Sequence, residues 1–406
     1  MRPVIFVAPY FLEATLRFVD AVSRLDEVRL AIVSTDPAEK LPPGLRSRVA
    51  AHYRIEDCLD PAQIERAVRA LAERLGPPAR LIGTLEELQV PLAVAREALG
   101  LHGLSSEAAA NFRDKARMKS VLEQAGLPCA RHALARSADE ATAFAKRVGY
   151  PIVAKPQAGA GARNTFRLDS DEQLADACAH MPPRPESPVM LEEFVTGEEH
   201  SFDAVMVDGR PAWYSVSRYA PSPLEVLREP WIQWCVLLPR AVDGPEYEAI
   251  RREGFASLSA LGLTTGFAHM EWFRKPDGEV AISEVGARPP GAQFTSLISY
   301  AHDTDFYRAW ARLAALGEFR APERRYAVGC AYLRGQGVGR VRRVLGLDRI
   351  ARELGPLVVE AQLPREGQAP AGTYEGEGFI IVRHPETRVV EDALRTVVSN
   401  IRVELA

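Results

Sequence analysis

The stretch GFAHMEWFRKPDGEVAISEVGARPPG, residues 266–291, carries two glutamates, Glu271 and Glu284, at a spacing that can bring them face to face. AHMEWF and EVAISEV are rich in β-branched and aromatic residues, and KPDG between them is a turn signal, so the stretch reads as a hairpin. With Asp277-Gly278 as a two-residue turn, Glu271 lies directly opposite Glu284. With all of KPDG in the loop, Glu271 pairs with Ile282 and Glu284 sits one diagonal away. Either even-length loop leaves both carboxylates on one face, because side chains alternate with period two. Facing carboxylates repel and weaken a strand pair, unless one stays protonated or a cation sits between them. A hard divalent ion such as Mg²⁺ resolves the conflict, above all if it also holds phosphate oxygens. Two solvated glutamates on an open sheet face are the competing reading.

Upstream segments bear on the same chemistry. SSEAAANFRDKARMKSVLEQAGLP reads as one long helix ending at Gly126. It puts Lys115 and Lys119 on one face beside Arg113 and Arg117, for which a solvated basic face is the plain alternative. YPIVAKPQAGAGARNTFRLDS places Lys155-Pro156 at the end of a strand, then a small-residue loop with Gly159 and Gly161, then a returning strand. A lysine point charge beside unhindered backbone N–H groups suits phosphate. It is not a P-loop, since no GK[ST] precedes a helix. VMLEEFVTGEEHSFDAVMVDGRPAWYSVS reads as strand, short break, strand, DG turn and strand.

The elements that must position these groups follow from the patterning. Residues 1–104 alternate strands (PVIFVA, VRLAIVS, ARLIGT) with amphipathic helices, which predicts a parallel sheet with covering helices. The turn after the first strand, APYFLEA, has no GxGxxG, so no dinucleotide site is expected there. Ser137 with Glu140, and Ser170 with Gln173, mark two helix starts around the Lys155 strand. Residues 219–240 interrupt the sheet pattern with four prolines and hold Trp231 and Trp234; a lid or specificity loop and a cover for a core edge both fit. Beyond about residue 320 the pattern is α+β with no chemical cluster, and GQGVG there lacks the helix-opening context of a nucleotide motif.

Composition narrows the class. A chain of 406 residues with 47% hydrophobic and 26% charged residues fits a globular protein of about three domains. A net charge of −4 suggests neither a nucleic-acid nor a membrane surface. Five scattered cysteines without a CxxC pair argue against a disulfide framework or zinc site and for a reducing compartment. The apolar start MRPVIFVAPYF soon meets Glu13, Arg17 and Asp20, so it reads as a strand and not a signal peptide, and a cytoplasmic location is expected.

Lys115, Lys155-Pro156 with its glycine loop, Glu192-Glu193-Phe194-Val195 followed by Gly197-Glu198-Glu199, and the Glu271/Glu284/Arg288 hairpin occur in an order that resembles the ATP-grasp superfamily, in particular its carboxylate–amine (L-amino acid) ligases. The resemblance covers about residues 105–318. It implies an α/β and α+β multidomain chain: an N-terminal parallel α/β domain (1–104), an ATP-grasp core (105–318, with 131–190 as the smaller lid subdomain) and a C-terminal α+β lobe (319–406). It also implies roles. Lys115, Lys155 and the Gly159/Gly161 loop would contact ATP phosphates. Glu192 to Val195 would form the strand against adenine, through the backbone of Glu193 and Val195. Glu199, in preference to Glu198, would hold the ribose. Glu271 and Glu284 would hold Mg²⁺, or Mn²⁺ in its place, and Arg288 would steady the transferred phosphoryl group. ARPPG, with Gly291, resembles the turn that approaches the acceptor. One departure stands out: many relatives read Glu-x-Asn in the second metal strand, where this chain has Glu284-Val285-Gly286.

The chemistry expected is activation of a carboxylate as an acyl phosphate and its displacement by an amine, with small-molecule substrates, no nucleic acid or membrane partner, and a homodimer as an allowed assembly. Phosphoryl transfer is mainly positioning and charge neutralisation, which Lys155 and Arg288 supply without a protein nucleophile. His269 faces the same side as Glu271 and is a candidate substrate contact, as is Trp231; a packed sheet histidine is the alternative for His269. Competing functions are a carboxylating enzyme of the biotin-carboxylase or purine type and an ATP-binding module without turnover.

Overall fold

The computed structural model describes residues 1–156, 165–229 and 232–406. The first strand, Arg2–Val7, sits inside a four-stranded parallel sheet ordered Ala51–Arg54, Val28–Ser34, Arg2–Val7, Arg80–Ile82. Its run of apolar residues reflects burial on both faces. Ile5 and Val7 enter a core with the helices Pro61–Leu75 and Gln89–Leu99, whereas Val4 and Phe6 enter one shared with the middle of the chain. In that shared core Trp310 stands edge-on to Phe18 and Phe6, with ring centroids 5.0 and 6.0 Å away.

The expected long helix after Ser105 is two helices, Ser106–Arg113 and Lys115–Gln124. Asp114 breaks it: its carboxylate accepts from the Ala116 and Arg117 N–H groups, a capping geometry that competes with helix continuation. The break sets Lys115 at the first position of the second helix. Around Lys155 a small antiparallel sheet, ordered His132–Ala135, Val189–Glu193, Ile152–Pro156, Phe166–Leu168, is covered by helices Ala138–Val148 and Asp171–His180. Ser137 and Ser170 cap these helices, as their spacing predicts.

An eight-stranded antiparallel sheet forms the centre, in the order Val280–Gly286, Gly266–Arg274, Glu198–Val207, Arg210–Ala220, Trp234–Leu238, Ala327–Leu333, Gly378–His384, Val358–Gln362. Its last three strands come from beyond residue 319, so the C-terminal segment continues the same sheet that holds the acidic hairpin. Residues 219–240 contribute a short helix, Pro223–Arg228, and a wholly buried central strand, Trp234–Leu238. Here the expectation of an irregular insertion is corrected: the prolines bracket a strand that the sheet needs. Among the described residues no helix is long and apolar enough to cross a membrane.

Because Trp310 joins the N-terminal sheet to the rest, Trp310→Ala should lower stability by about 3–5 kcal/mol. Urea unfolding followed by fluorescence and circular dichroism checks this; a loss below about 1 kcal/mol would show that the two units do not share a core.

Candidate active site

The acidic hairpin reaches its register by a route the turn signal did not reveal. Lys275 N–H bonds to Glu279 O and Gly278 N–H to Lys275 O, closing a three-residue loop, Pro276-Asp277-Gly278, with Gly278 at φ +85°. Such loops place a residue in the left-handed region, which glycine adopts freely. The pairing next to this odd loop, Arg274 with Val280 and Trp272 with Ile282, would set Glu271 opposite Ser283. A β-bulge intervenes. Ser283 is the extra residue, and beyond it Glu271 pairs with Glu284 and His269 with Gly286. Both even-length loops are thus wrong, yet the facing of the two carboxylates holds.

Period two then orders one wall of a cleft. Phe273, Glu271 and His269 alternate along one strand, Glu284 and Gly286 follow on the other beyond the bulge, and all five line it. Lys115 and Lys155 come to this wall from two different elements. Lys115 Nζ donates to Glu284 Oε1 at 2.8 Å, and Lys155 Nζ lies 2.9 Å from Glu192 Oε1. Lys119, 0% exposed, approaches the same Glu192 oxygen at 3.5 Å. The solvated basic face is therefore excluded, since both helix lysines are buried and point inward to carboxylates.

Charges on this wall are unequal in cost. Burial, then repulsion by Glu284, holds the Glu271 carboxyl above its ordinary range. Burial would also raise Glu284, but Lys115 and Lys155 outweigh it and hold it low. Glu192 is likewise pulled down by Lys119 and Lys155 against its burial. Burial, then Glu271, lift Glu199 well above its ordinary range. Glu199 lines the cleft, whereas its neighbour Glu198 is exposed, so alternation favours the residue chosen from sequence. A surplus of half-buried carboxylate on one wall favours positive charge beside it.

The segment Glu192 to Val195 also lines the cleft, and its backbone is half used. Glu193 N–H bonds to Arg131 O at 2.9 Å and Phe194 N–H to Pro151 O at 3.2 Å. Among the described residues the Val195 N–H makes no hydrogen bond.

Arg288 enters the cleft in an ion pair that sequence reasoning missed. Its Nε donates to Glu86 Oε2 and its Nη1 to Pro289 O. Burial opposes the Arg288 charge, but Glu86 outweighs it and raises the pKa. Glu86 follows the parallel strand Arg80–Ile82, past its C-terminal end, where open α/β sheets place ligand-facing groups. That position was the available signal. The aromatic residues Tyr219 and Trp234, from the 219–240 segment that sequence offered as a specificity loop or core cover, line the cleft with Phe294 and Tyr374, which carried no local signal.

His269 Nδ1 is 2.7 Å from Asp203 Oδ1, and Ser201 Oγ donates to Asp203 Oδ2. His269 is thus both anchored within the sheet and part of the cleft wall. Gly291 lines the cleft, while Gly159, Gly161 and Trp231 lie outside the described residues.

The chain is similar to known proteins in sequence and in fold. Residues 114–215 match the family model described as the carbamoyl-phosphate synthase L chain, ATP binding domain. The chain is 26% identical over 259 residues to the L-arginine-specific L-amino acid ligase of Bacillus subtilis, covering 63% of this chain and 62% of that protein. It is 24% identical over 275 residues to the carbamoyl phosphate synthase large chain of Methanothermobacter thermautotrophicus, covering 65% of this chain but 25% of that one. The chain thus spans less than two thirds of the length of these relatives. The solved L-amino acid ligase from Bacillus licheniformis superimposes with a TM-score of 0.79 over 100% of this chain and 99% of that one, at 20% identity.

Glu271→Gln should raise the melting temperature of the ligand-free protein at neutral pH by about 2 °C, because it removes a repelled, half-buried charge. A carboxyl raised in the folded state binds more protons there than in the unfolded chain, so wild-type stability falls as pH rises above the ordinary carboxylate range. The gain from Glu271→Gln should therefore fade as pH is lowered into that range. A variant no more stable than wild type at any pH would contradict this electrostatic account.

Proposed function

We propose, from the ATP-grasp fold that this chain carries, that it is an ATP-dependent ligase, activating a carboxylate as an acyl phosphate and passing the acyl group to an amine. The observation that carries the reading is the register pair Glu271–Glu284, set between Lys115 and Lys155 and beside the strand end at Glu192. In this reading Glu271 and Glu284 hold Mg²⁺, or Mn²⁺ in its place. The residues present fit that ion, since two half-buried carboxylates face each other and one is held above its ordinary pKa. The bound ion would neutralise phosphate charge.

The other groups fall into place around it. Glu193 offers its carbonyl and Val195 its N–H, an acceptor and a donor suited to the adenine edge. Glu199 would take ribose hydroxyls. Lys115, Lys155 and the Gly159/Gly161 loop would hold phosphate oxygens. A substrate carboxylate oxygen then attacks the γ-phosphorus and ADP leaves, with Arg288 and Lys155 balancing the charge that develops. Attack of an uncharged amine on the carbonyl carbon breaks the acyl–oxygen bond, and the amine's proton goes to the departing phosphate as the amide forms. His269, Gly291 and Trp231 would meet the substrates. The likeness to an amino-acid ligase along its whole length supports amino acids as the carboxylate and amine.

Release of ADP and phosphate over a panel of amino acids, singly and in pairs, with bicarbonate and biotin as separate arms, tests this. Release with amino acids is expected. Release with bicarbonate alone would select a carboxylating enzyme instead, and ATP binding without release under any donor would leave a module without turnover. Glu284→Gln should cut turnover at least a hundredfold with its fold intact, and an active Glu284→Gln enzyme would remove the metal assignment.

A further inference from the structure

Gly286 occupies the place where the resemblance leads one to expect an amide side chain, and the structure supplies a reason for the glycine. Its backbone is not in the left-handed region, so conformation does not require it. Space does. A Cβ at 286 would stand 2.9 Å from Glu86 Oε2 and 3.6 Å from Arg288 Cγ. The contact at 2.9 Å is one that real Cβ atoms do not make, and anything larger than a methyl would have to displace the carboxylate itself. Glu86 cannot yield freely, because that same oxygen accepts from Arg288 Nε, and the two side chains are 12% and 20% exposed. Breaking a buried pair leaves an uncompensated charge, which is costly.

Resting on the ligase reading, we propose that Gly286 and Glu86 are one positioning device for Arg288. The glycine vacates the space, and the carboxylate from the N-terminal unit fills it. Glu86 then holds the guanidinium by Nε while Pro289 O holds it by Nη1. Among the described residues Nη2 makes no hydrogen bond, so the guanidinium is fixed at two nitrogens and offers the third to the cleft. A phosphoryl group in transfer needs such a preorganised donor, because a donor that must first reorient stabilises the transition state less. The device also links two parts of the fold. The 3₁₀ turn Glu86–Leu88 follows the strand Arg80–Ile82 of the N-terminal sheet, whereas Gly286 and Arg288 end the acidic hairpin. The departure at 286 is thus matched by an acid some 200 residues earlier, and this chain uses the position to orient a cation.

Two substitutions and their combination decide the matter, each measured by initial-rate kinetics for ADP release and by thermal melting. Gly286→Asn, which installs the residue expected of many relatives, should lower kcat about a hundredfold with the KM for ATP within about threefold. Glu86→Gln, similar in shape but uncharged, should lower kcat in the same manner, and Glu86→Asp should be less active than wild type but more active than Glu86→Gln. The double variant Gly286→Asn/Glu86→Ala should be no worse than Gly286→Asn alone, because the carboxylate is already displaced in the single variant. Gly286→Ala, a smaller intrusion, should show the same kcat loss in weaker form and keeps the test open if the asparagine variant does not fold. Gly286→Asn turning over as fast as wild type, or losses that multiply in the double variant, would overturn the pairing. Release of no ADP by the wild-type protein with any donor would instead overturn the ligase reading. The pairing would then stand or fall on melting alone, where coupled losses at 86 and 286 support it and independent ones refute it.

Discussion

Two carboxylates held face to face on adjacent strands are the constraint that the rest of the molecule answers. Glu271 and Glu284 share a register pair in a half-buried wall, where within the hairpin His269 gives Glu271 some relief. Further relief comes from elsewhere: Lys115 from a helix that Asp114 restarts, Lys155 from the neighbouring small sheet, and Arg288 from the turn that follows. These cations favour Glu284 over Glu271, so the pair is asymmetric, one carboxylate held low and the other raised. That asymmetry leaves a residual demand for positive charge at Glu271. A protein that stores such a demand gives up stability in the absence of its ligand and recovers it on binding.

The same wall shows how a bulge serves function. A three-residue loop is comfortable for Pro276-Asp277-Gly278 but would set Glu271 against Ser283. Adding one residue to the returning strand moves every later position to the other phase, and the carboxylates meet. Beyond the bulge the alternation carries the cleft from the acidic pair to His269 and Gly286. The last of these positions opens onto Glu86, so the N-terminal sheet, which has no glycine-rich nucleotide turn of its own, shapes the cleft with a single carboxylate.

Much of this was legible from residue types and order alone. Alternating strands and helices, each with its apolar face, specify the parallel N-terminal sheet, because burial and period are local properties. Ser137 and Ser170 name their helix starts, since a cap is satisfied within its own turn. Glu271 and Glu284 stand out because like charges at strand spacing repel, Lys155 because a lysine at a strand end beside a small-residue loop suits phosphate, and the Glu192–Val195 segment through the resemblance to the ATP-grasp superfamily.

What the tertiary structure alone decided concerns partners far apart in the chain. Whether Lys115 and Lys119 face solvent or a carboxylate depends on Glu284 and Glu192, which no helical pattern contains. That the segment after Ala220 holds a central strand became visible only when Trp234–Leu238 was found paired with Ala327–Leu333, because its prolines report a local interruption and not what it encloses. Gly286 reads in sequence as a missing ligand and in space as room for Glu86. Sequence determines what each short segment can do, since propensity, capping and alternation act over a few residues. Which charges meet, and therefore what the cleft demands of a ligand, is set by contacts across hundreds of residues, where only the packed chain brings the partners within reach.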